Sequence, residues 1–264
     1  MTVFEYKEGR KVVNDKDIAY MLPVDDLEVD RLKMNHELWN LFKSSIHDRL
    51  EKGIRVLDIG CGPGWWTLDM AKLYPNSEFI AIDMADIFMT QDIPPNVAFK
   101  QMNAGVGLDF EDESFDFVFQ RFLVMGFPTD QYLLSIQEMK RLLKPGGAIE
   151  ILELINKFDN ASPAFDRFCS WDAFIAEKIP GYLTDTGYRD IQFIDYNVPI
   201  GSWGGHVGKL YLEVLKLAFP ASRVMVISHT PVTLDQFNDN LGQVLLDAHH
   251  FQVSNRYRLI YAIK

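Results

Sequence analysis

Val56-Leu57-Asp58-Ile59-Gly60-Cys61-Gly62-Pro63-Gly64-Trp65-Trp66 joins an apolar strand to a helix through three closely spaced glycines. Glycine lacks the Cβ atom that blocks close approach to a backbone, and it tolerates the positive φ angles of a strand-to-helix turn. The helix predicted over 63–73 begins with unpaired N–H groups that face whatever lies on the loop. The spacing is Gly-x-Gly-x-Gly, not the Gly-x-Gly-x-x-Gly of dinucleotide-binding loops. A structural turn is the alternative, but it would not require three glycines, so the segment favours a ligand site.

Further strand patterns follow at the intervals typical of an α/β fold, over 78–83, 97–103, 114–119 and 148–153. Asp83 ends the second strand, where its carboxylate can accept hydrogen bonds from the two hydroxyls of a ribose. The alternative for Asp83 is a cap of the next turn. Asn103 ends the third strand, where a side-chain amide can bind an adenine edge. A helix over 131–143 ends at the stop signal Lys144-Pro145-Gly146-Gly147.

These segments resemble the class I S-adenosylmethionine-dependent methyltransferases. The matching segments are VLDIGCGPGWW, FIAIDMA, the Asn103 region, EDESFDFVFQR and LLKPGGAIEILE, which together cover about residues 54–155. The resemblance implies a doubly wound, seven-stranded, mostly parallel α/β sheet of the Rossmann-like kind, with S-adenosylmethionine as the cofactor. Asn103 stands where an acid is more usual. The implied cofactor-binding residues are Asp58, Gly60, Cys61, Gly62, Gly64, Trp65, Trp66, Asp83, Met84, Asn103, Ala104, Gln120 and Arg121.

Three of these residues have two interpretations each. Trp65 and Trp66 either flank the cofactor and favour its positive sulfur by cation–π attraction, or pack the helix on the sheet. Arg121, just past the fourth strand, either holds a carboxylate on the substrate or pairs with Asp116 or Glu111. The sequence leaves these alternatives open.

The upstream segment resembles the N-terminal signature of a fungal methyltransferase group that includes regulators of secondary metabolism. The matching residues are Gly9-Arg10, Tyr20-Met21-Leu22-Pro23, Asp25-Asp26-Leu27-Glu28, Arg31-Leu32 and His36. The resemblance implies that residues 1–50 form a helical cover over the cofactor. A helix beginning at Asp25 or Asp26 would have Val29, Leu32, His36 and Trp39 on one face. His36 is then either a core-facing histidine or a site residue.

After residue 155 the chain predicts two more strands separated by a helical cap. Ser162-Pro163 begins a helix predicted to reach Lys178, and strands over 191–196 and 256–263 complete the sheet. The cap, residues 199–253, has a helix over 206–217, a helical stretch after Pro220 and a helix begun by the capping box at Thr233. Trp203, Tyr211, Phe219 and Phe237 are predicted to roof a substrate cavity. The alternative is that the cap forms a homodimer contact.

The organisation and composition narrow the class of protein. We expect one domain over 1–264, made of the cover (1–50), a cofactor-binding core (54–155) and the substrate cap (199–253). Lys and Arg number 26 and Asp and Glu 37, and the net charge of −11 argues against nucleic acid and anionic membranes as partners. No signal-peptide or membrane-span pattern occurs. Cys61 and Cys169 give neither metal spacing nor a disulfide framework, so no metal and a cytoplasmic location are expected.

The predicted function is in-line SN2 transfer of a methyl group from S-adenosylmethionine to a small-molecule acceptor. The alternative is a methyltransferase-fold regulator of secondary metabolism that acts through protein partners, with a nuclear location. A general base is needed only where the pKa of the acceptor is high. The candidates are Glu153 at the end of the fifth strand, Tyr20 in the cover and His206 in the cap, with His229, His249 and His250 as further cap histidines. Glu153 is the best placed, although it could instead bond the neighbouring loop.

Overall fold

The computed structural model describes residues 4–7, 9–13, 22–39, 46–124, 127, 129–168, 175–223, 227 and 232–264. Within these ranges the strands are β1 (Phe4–Lys7), β2 (Arg10–Val13), β3 (Arg55–Ile59), β4 (Glu78–Asp83), β5 (Val97–Gln101), β6 (Phe115–Arg121), β7 (Leu143–Asp159), β8 (Arg189–Pro199) and β9 (Ser254–Ile263). The helices are α1 (Asp26–Trp39), α2 (His47–Lys52), α3 (Trp65–Leu73), α4 (Thr129–Leu142), α5 (Pro163–Phe168), α6 (Ile175–Asp185), α7 (Gly205–Ala221) and α8 (Leu234–His250).

Strands β3 to β9 form the central sheet in the order β5-β4-β3-β6-β7-β9-β8. Neighbouring strands from β5 to β7 pair in parallel, and β9 is antiparallel to both β7 and β8. The predicted seven-stranded, mostly parallel sheet is therefore confirmed. The strand order reverses between β3 and β6, and ligands of such sheets bind at this reversal, beyond the carboxyl ends of the strands.

Helices cover both faces of the sheet because its strands carry apolar side chains in both directions. Leu57 and Ile82 pack in one cluster with side chains of α4 and α6, whereas Val56 and Phe79 pack in another with side chains of α2 and α3. Strands buried on both faces read as continuous apolar runs, which is the pattern of a doubly wound sheet.

The cover and the cap meet over the carboxyl end of the sheet. Helix α1 packs against α7, and Trp39 of α1 lies in one buried cluster with Tyr211 of α7 and Tyr257 of β9. The cap lies between β8 and β9, as predicted, and α8 packs against α5. The two segments flank the carboxyl end of the central strands, and they position the site described below.

The buried face of α1 differs from the predicted one. Asp25 Oδ1 accepts the N–H of Glu28 at 3.2 Å, so Asp25 caps the helix. The buried residues are Glu28, Arg31, Asn35, His36, Leu38 and Trp39, whereas Val29 and Leu32 are half-buried. The predicted face of Val29, Leu32, His36 and Trp39 is therefore partly buried, and Glu28, Arg31 and Asn35 are buried beside it because α1 packs against both α3 and α7.

Two helix boundaries also differ from the prediction. Helix α6 continues through Pro180 to Asp185, beyond the end predicted at Lys178. Helix α7 continues through Pro220 to Ala221, so the break predicted there is wrong. A proline so close to a helix end removes little of the backbone ladder. The Thr233 capping box is confirmed, with Gln236 as its partner. No described helix has the length and apolarity needed to span a membrane.

Candidate functional site

A cavity of about 190 Å³ lies between the glycine loop, α1 and α7. Its wall on the sheet side includes the loop after β3 and the ends of β4 and β6, and its opposite wall comes from α7, β7 and β9. The residues that line the cavity include Arg31, Leu32, Asn35, Gly60, Cys61, Gly62, Trp65, Asp83, Arg121, Phe122, Leu123, Val124, Leu154, Phe158, Tyr211, Val214, Leu215, Phe219, Asn255 and Tyr257. A smaller recess shares Gly60, Asp83 and Leu123 with this cavity.

Two of the three loop glycines lack a side chain for different reasons. Gly60, Gly62 and Gly64 all have positive φ, at 69°, 57° and 92°. A Cβ atom on Gly62 would have only the Leu32 side chain within 4 Å, at 3.6 Å, so Gly62 leaves open space beside the cavity. A Cβ atom on Gly64 would lie 2.4 Å from the Phe99 ring, and Gly64 is not part of the described cavity wall. Gly62 thus permits ligand approach, whereas Gly64 permits packing.

Asp83 bonds the backbone of the glycine loop and of the turn after β4, and it also lines the cavity. Its Oδ2 accepts the N–H of Gly62 at 2.8 Å, and its Oδ1 accepts the N–H of Ala85 at 2.9 Å. Asp83 therefore holds the loop and caps the next turn, while it also lines both the cavity and the recess. Burial raises the pKa of Asp83, although these backbone hydrogen bonds favour the carboxylate. Each carboxylate oxygen can accept more than one hydrogen bond, so capacity for a ligand remains.

Asp58 lies behind the loop, outside the described cavity wall. It is buried and accepts the hydroxyl proton of Thr67 of α3, and desolvation raises its pKa to about 6. The sequence could not distinguish this position from a wall position. Cys61 lies on the wall, and burial raises the pKa of its thiol.

The two tryptophans have different surroundings, and only Trp65 lines the cavity. The Trp66 ring stacks on Phe119 of β6 with 3.8 Å between ring centroids and 11° between planes, so Trp66 packs α3 on the sheet. Trp65 lines the cavity. Its indole Nε1 is buried and has no hydrogen-bond partner among the described residues. A buried donor without a protein partner beside a cavity is a feature that a bound ligand explains.

Arg121 links three elements at the rim of the cavity. Its guanidinium donates to His36 Nδ1 at 3.0 Å, and His36 Nε2 donates to Asp69 of α3 at 2.9 Å. Since Nδ1 accepts a hydrogen bond from Arg121, it carries no proton, and His36 is neutral. Burial, and secondly the charge of Arg121, lower the pKa of His36. Desolvation lowers the pKa of Arg121 to about 10, against the charges of Asp58 and Asp69.

The expected pairing of Arg121 with Asp116 or Glu111 was wrong. Asp116 instead accepts hydrogen bonds from Lys144 Nζ and from the backbone N–H of Arg55. The reason is the direction of β6, since Asp116 lies near its amino end and Arg121 ends it on the cavity side. His36 has both ring nitrogens bonded, so it pins α1 against α3 and β6.

The recess is lined by Met84, Asn103 and Ala104, three of the predicted cofactor residues. The Asn103 side-chain oxygen already accepts the N–H of Gly105 at 2.8 Å. Gln120 is fully buried outside both walls, and it donates to the Tyr132 hydroxyl at 2.7 Å. Gln120 therefore supports the core behind the cavity.

The cap contributes two of its four predicted roof residues. Tyr211 and Phe219 line the cavity, but Trp203 does not, because its indole N–H donates to Ile200 O at 2.8 Å beside solvent. Phe237 is fully buried in the core of the cap. Sequence reasoning missed the other wall residues Arg31, Asn35, Phe122, Leu154, Phe158, Asn255 and Tyr257. Phe122 lies three residues beyond the predicted strand end at Phe119, and this proximity was the one local signal available.

The predicted general bases are not on the described wall. Glu153 is completely buried, and its Oε1 accepts the Leu123 N–H at 2.9 Å and the Tyr132 hydroxyl at 3.0 Å. Burial raises the pKa of Glu153 to about 7, against these hydrogen bonds. His206 is exposed at the start of α7. Tyr20 and His229 lie outside the described residues, and His249 and His250 are exposed.

The described residues contain no group of three or more His, Cys, Asp or Glu placed to hold a metal ion. The polar groups on the described cavity wall instead include a carboxylate, two guanidinium groups, amides and hydroxyls, namely those of Asp83, Arg31, Arg121, Asn35, Asn255, Tyr211 and Tyr257. Such a set suits an organic ligand with hydroxyl and amine groups.

The sheet order with its antiparallel β9, the glycine loop and the acid ending β4 are those of a class I methyltransferase. A family model for a methyltransferase domain matches residues 56–147. Methyltransferase str2 of Strobilurus tenacellus is 32% identical over 239 residues, which are 88% of this chain and 79% of that protein. This chain belongs to the class I S-adenosylmethionine-dependent methyltransferases, within a group that includes fungal members.

Two further comparisons agree with this assignment. The secondary metabolism regulator laeA of Coprinopsis cinerea is 34% identical over 158 residues, which are 55% of this chain and 38% of that regulator. The chain thus spans less than half of that relative's length. A solved structure of a methyltransferase from an antibiotic biosynthesis pathway of Anabaena variabilis, described there as putative, has a TM-score of 0.54 at 20% identity. The similarity covers 90% of this chain and 98% of that one, and shows a shared fold.

Proposed function

We propose that this protein transfers a methyl group from S-adenosylmethionine to a small-molecule acceptor. The observation that carries the proposal is the single cavity with two unlike walls. One wall has the glycine loop and Asp83, and the other has the side chains of α7 and β9. Donor and acceptor bound on these walls would face each other in one space sheltered by α1 and α7.

The residues on the loop wall fit the cofactor. Asp83 accepts hydrogen bonds from the ribose hydroxyls, and the adenine binds in the recess lined by Met84, Asn103 and Ala104. Gly62 allows the backbone to approach the methionine part, whereas the space beside Gly60 is filled by the Leu123 side chain and Asp58 lies behind the loop. The support for this arrangement is the open space at Gly62 and the unpartnered buried indole N–H of Trp65, which offers a donor to the ligand.

When bound, the cofactor supplies a methyl group on a positively charged sulfur, so transfer breaks the S–C bond, forms a bond from carbon to the acceptor atom and releases the acceptor's proton. The chain's own part is to align the acceptor and exclude water. The proposal gives Glu153 a positioning role, since it bonds the backbone of Leu123 and Val124, which line the cavity. For a phenol, an enol or an amine, alignment can suffice without a base on the wall.

The test is transfer of an isotope-labelled methyl group from S-adenosylmethionine to compounds in a fungal cell extract, followed by mass spectrometry. The unaltered protein should label one or a few small molecules. Asp83→Ala should lose the labelling because cofactor affinity falls, and Trp203→Ala is the control because Trp203 lies outside the cavity. If calorimetry detects no binding of S-adenosylmethionine or S-adenosylhomocysteine to the protein, the proposal is overturned.

A second candidate function is regulation of secondary metabolism through protein partners, and the similarity to laeA favours it. Label that enters proteins and no small molecule would select this alternative.

We expect a methyltransferase that acts on small molecules to lie in the cytoplasm and a regulator to lie in the nucleus. The proposal also treats 1–264 as one domain whose cap, 199–253, either selects the acceptor or forms a homodimer. Light scattering on the protein tests the homodimer.

A further inference from the structure

The acceptor wall is the cavity wall formed mainly by α7, β7 and β9. Three of its buried polar side chains are Tyr211, Asn255 and Tyr257. Asn255 Nδ2 donates to the backbone oxygens of Ile155 at 3.3 Å and Lys157 at 3.0 Å. Only the amide nitrogen can donate to two carbonyls, so the orientation of the amide is fixed. Asn255 Oδ1 therefore faces the hydroxyl of Tyr211.

This orientation decides where the hydroxyl protons lie. The Tyr211 hydroxyl is within hydrogen-bond distance of both Asn255 Oδ1 and the Tyr257 hydroxyl. An amide oxygen only accepts, so Tyr211 donates its single proton to Asn255. The contact between the two tyrosines must then use the proton of Tyr257. Burial raises the pKa of Tyr257, which keeps this phenol protonated.

The proton of the Tyr257 hydroxyl is thus directed at Tyr211, and its oxygen accepts no hydrogen bond from the described residues, although the charge of Arg31 acts on this phenol. A hydroxyl oxygen can accept two hydrogen bonds. At this end the cavity consequently presents an acceptor, and it matches a ligand group that donates, such as a hydroxyl or an N–H. An ether or ester oxygen at the same position has no proton to donate, so its lone pairs would face the lone pairs of Tyr257 and form no hydrogen bond.

The two guanidinium groups on the described wall, those of Arg31 and Arg121, lie near carboxylates. The guanidinium of Arg31 makes two hydrogen bonds to the carboxylate of Glu28, at 2.9 and 2.6 Å, and both residues are buried. Arg121 bonds His36 and lies near the charges of Asp58 and Asp69. A carboxylate or phosphate on the acceptor would have to compete with these carboxylates, at a high desolvation cost.

The remaining acceptor wall is mostly apolar and much of it is aromatic, and the hydroxyl of its Ser222 is bonded to the backbone oxygen of Phe219. It contains Phe122, Leu154, Phe158, Val214, Leu215 and Phe219. The ring of Tyr257 also lies edge-on to Phe122 and Tyr211, with 5.9 Å between ring centroids in each pair. Flat aromatic ligands pack favourably against such edges and faces.

Resting on the proposed function, we propose that the acceptor is an uncharged aromatic molecule with a hydroxyl or N–H group, and that Tyr257 selects it by accepting a hydrogen bond from that group. Tyr211 and Asn255 act through Tyr257, since they fix the direction of its proton. Tyr257 is thus a specificity-determining residue, and Tyr211 is a positioning residue.

The test uses three probes of one ring system, 2-naphthol, 2-methoxynaphthalene and 2-naphthoate, bound to protein saturated with S-adenosylhomocysteine and titrated by NMR. The unaltered protein should bind 2-naphthol about three- to tenfold more tightly than 2-methoxynaphthalene, the factor expected for one neutral hydrogen bond. It should bind 2-naphthoate most weakly. Tyr257→Phe should abolish the preference for 2-naphthol. Tyr261→Phe, the same substitution on the same strand outside the described wall, should retain it.

Tyr211→Phe provides a second variant with a different expected result. It frees the proton of Tyr257 to donate, so the preference for 2-naphthol over the ether should narrow. A preference unchanged by Tyr257→Phe, tightest binding of 2-naphthoate, or no binding of any probe by the saturated protein would each overturn this inference. Absence of S-adenosylhomocysteine binding would instead overturn the proposed function, so the two failures are distinguishable.

Discussion

Alanine substitutions at Gly62 and Gly64 should separate a glycine kept for the ligand from a glycine kept for packing. Both have positive φ, which costs an alanine about 1–2 kcal/mol. At Gly62 the added methyl group meets only Leu32 at 3.6 Å, whereas at Gly64 it meets the Phe99 ring at 2.4 Å. Gly146 is the matched control, with φ of 75°, nothing within 4 Å of an added Cβ and a position outside the described cavity wall.

The expected magnitudes follow from these contacts. Gly62→Ala and Gly146→Ala should each lose about 1 kcal/mol, because the strain is partly offset by a less flexible unfolded chain. Gly64→Ala adds an overpacking cost of about 1–3 kcal/mol and should lose about 2–4 kcal/mol in all. For a chain of this size these losses correspond to falls in Tm of about 2–4 °C and about 5–15 °C. Cofactor affinity should fall at least about tenfold only for Gly62→Ala, because its methyl group enters the ligand's space.

Differential scanning calorimetry measures the Tm values, and isothermal titration with S-adenosylhomocysteine measures the affinities. The decisive comparison is Gly62→Ala against Gly146→Ala, since these two variants carry similar backbone strain. Equal cofactor affinity in this pair would refute the role assigned to Gly62. A Tm for Gly64→Ala equal to that of Gly146→Ala would refute the packing role of Gly64.

The tryptophans and two buried titratable groups allow three further predictions. Trp66→Ala removes the ring stacked on Phe119 and should lower the free energy of unfolding in urea by about 2–4 kcal/mol. Trp65→Ala should chiefly weaken S-adenosylhomocysteine binding. Equal losses of stability and of affinity in the two variants would contradict these roles. The pKa of His36 is below its ordinary 6.5 in the folded chain, so the unfolded chain binds more protons and stability should fall as pH drops below about 6.5. His36→Gln should flatten that slope, and an unchanged slope would contradict a neutral histidine. The pKa of Glu153 is raised from 4.5 to about 7, so the folded chain holds the extra proton and this contribution to stability should be lost as pH rises through that range. Urea midpoints of Glu153→Gln at pH 5 to 8 should lack this loss, and a parallel pH profile would show that Glu153 does not titrate there.

The sequence by itself determined the features that depend on neighbouring residues. Positive φ at Gly60, Gly62 and Gly64 follows from a tight turn between a strand and a helix, and the cap at Thr233 follows from its spacing to Gln236. The apolar runs of the strands required a sheet covered on both faces. The family resemblance added the doubly wound, seven-stranded sheet and S-adenosylmethionine as the cofactor, and the ribose-binding role proposed for Asp83 is supported by its place at the end of β4.

Only the tertiary structure decided which side chains meet across the cavity. Arg121 bonds His36 from 85 residues away, in place of the nearby acids that the sequence offered. Tyr211 and Tyr257 are 46 residues apart and Asn255 fixes their protons through the carbonyls of β7, roughly 100 residues away. Hydrophobic period and turn chemistry constrain a residue through its local backbone, so they could not distinguish Trp65 from Trp66 or Tyr257 from Tyr261. The choice between such neighbours depends on what packs above them, and that is set by the positions of α1 and α7 over the sheet.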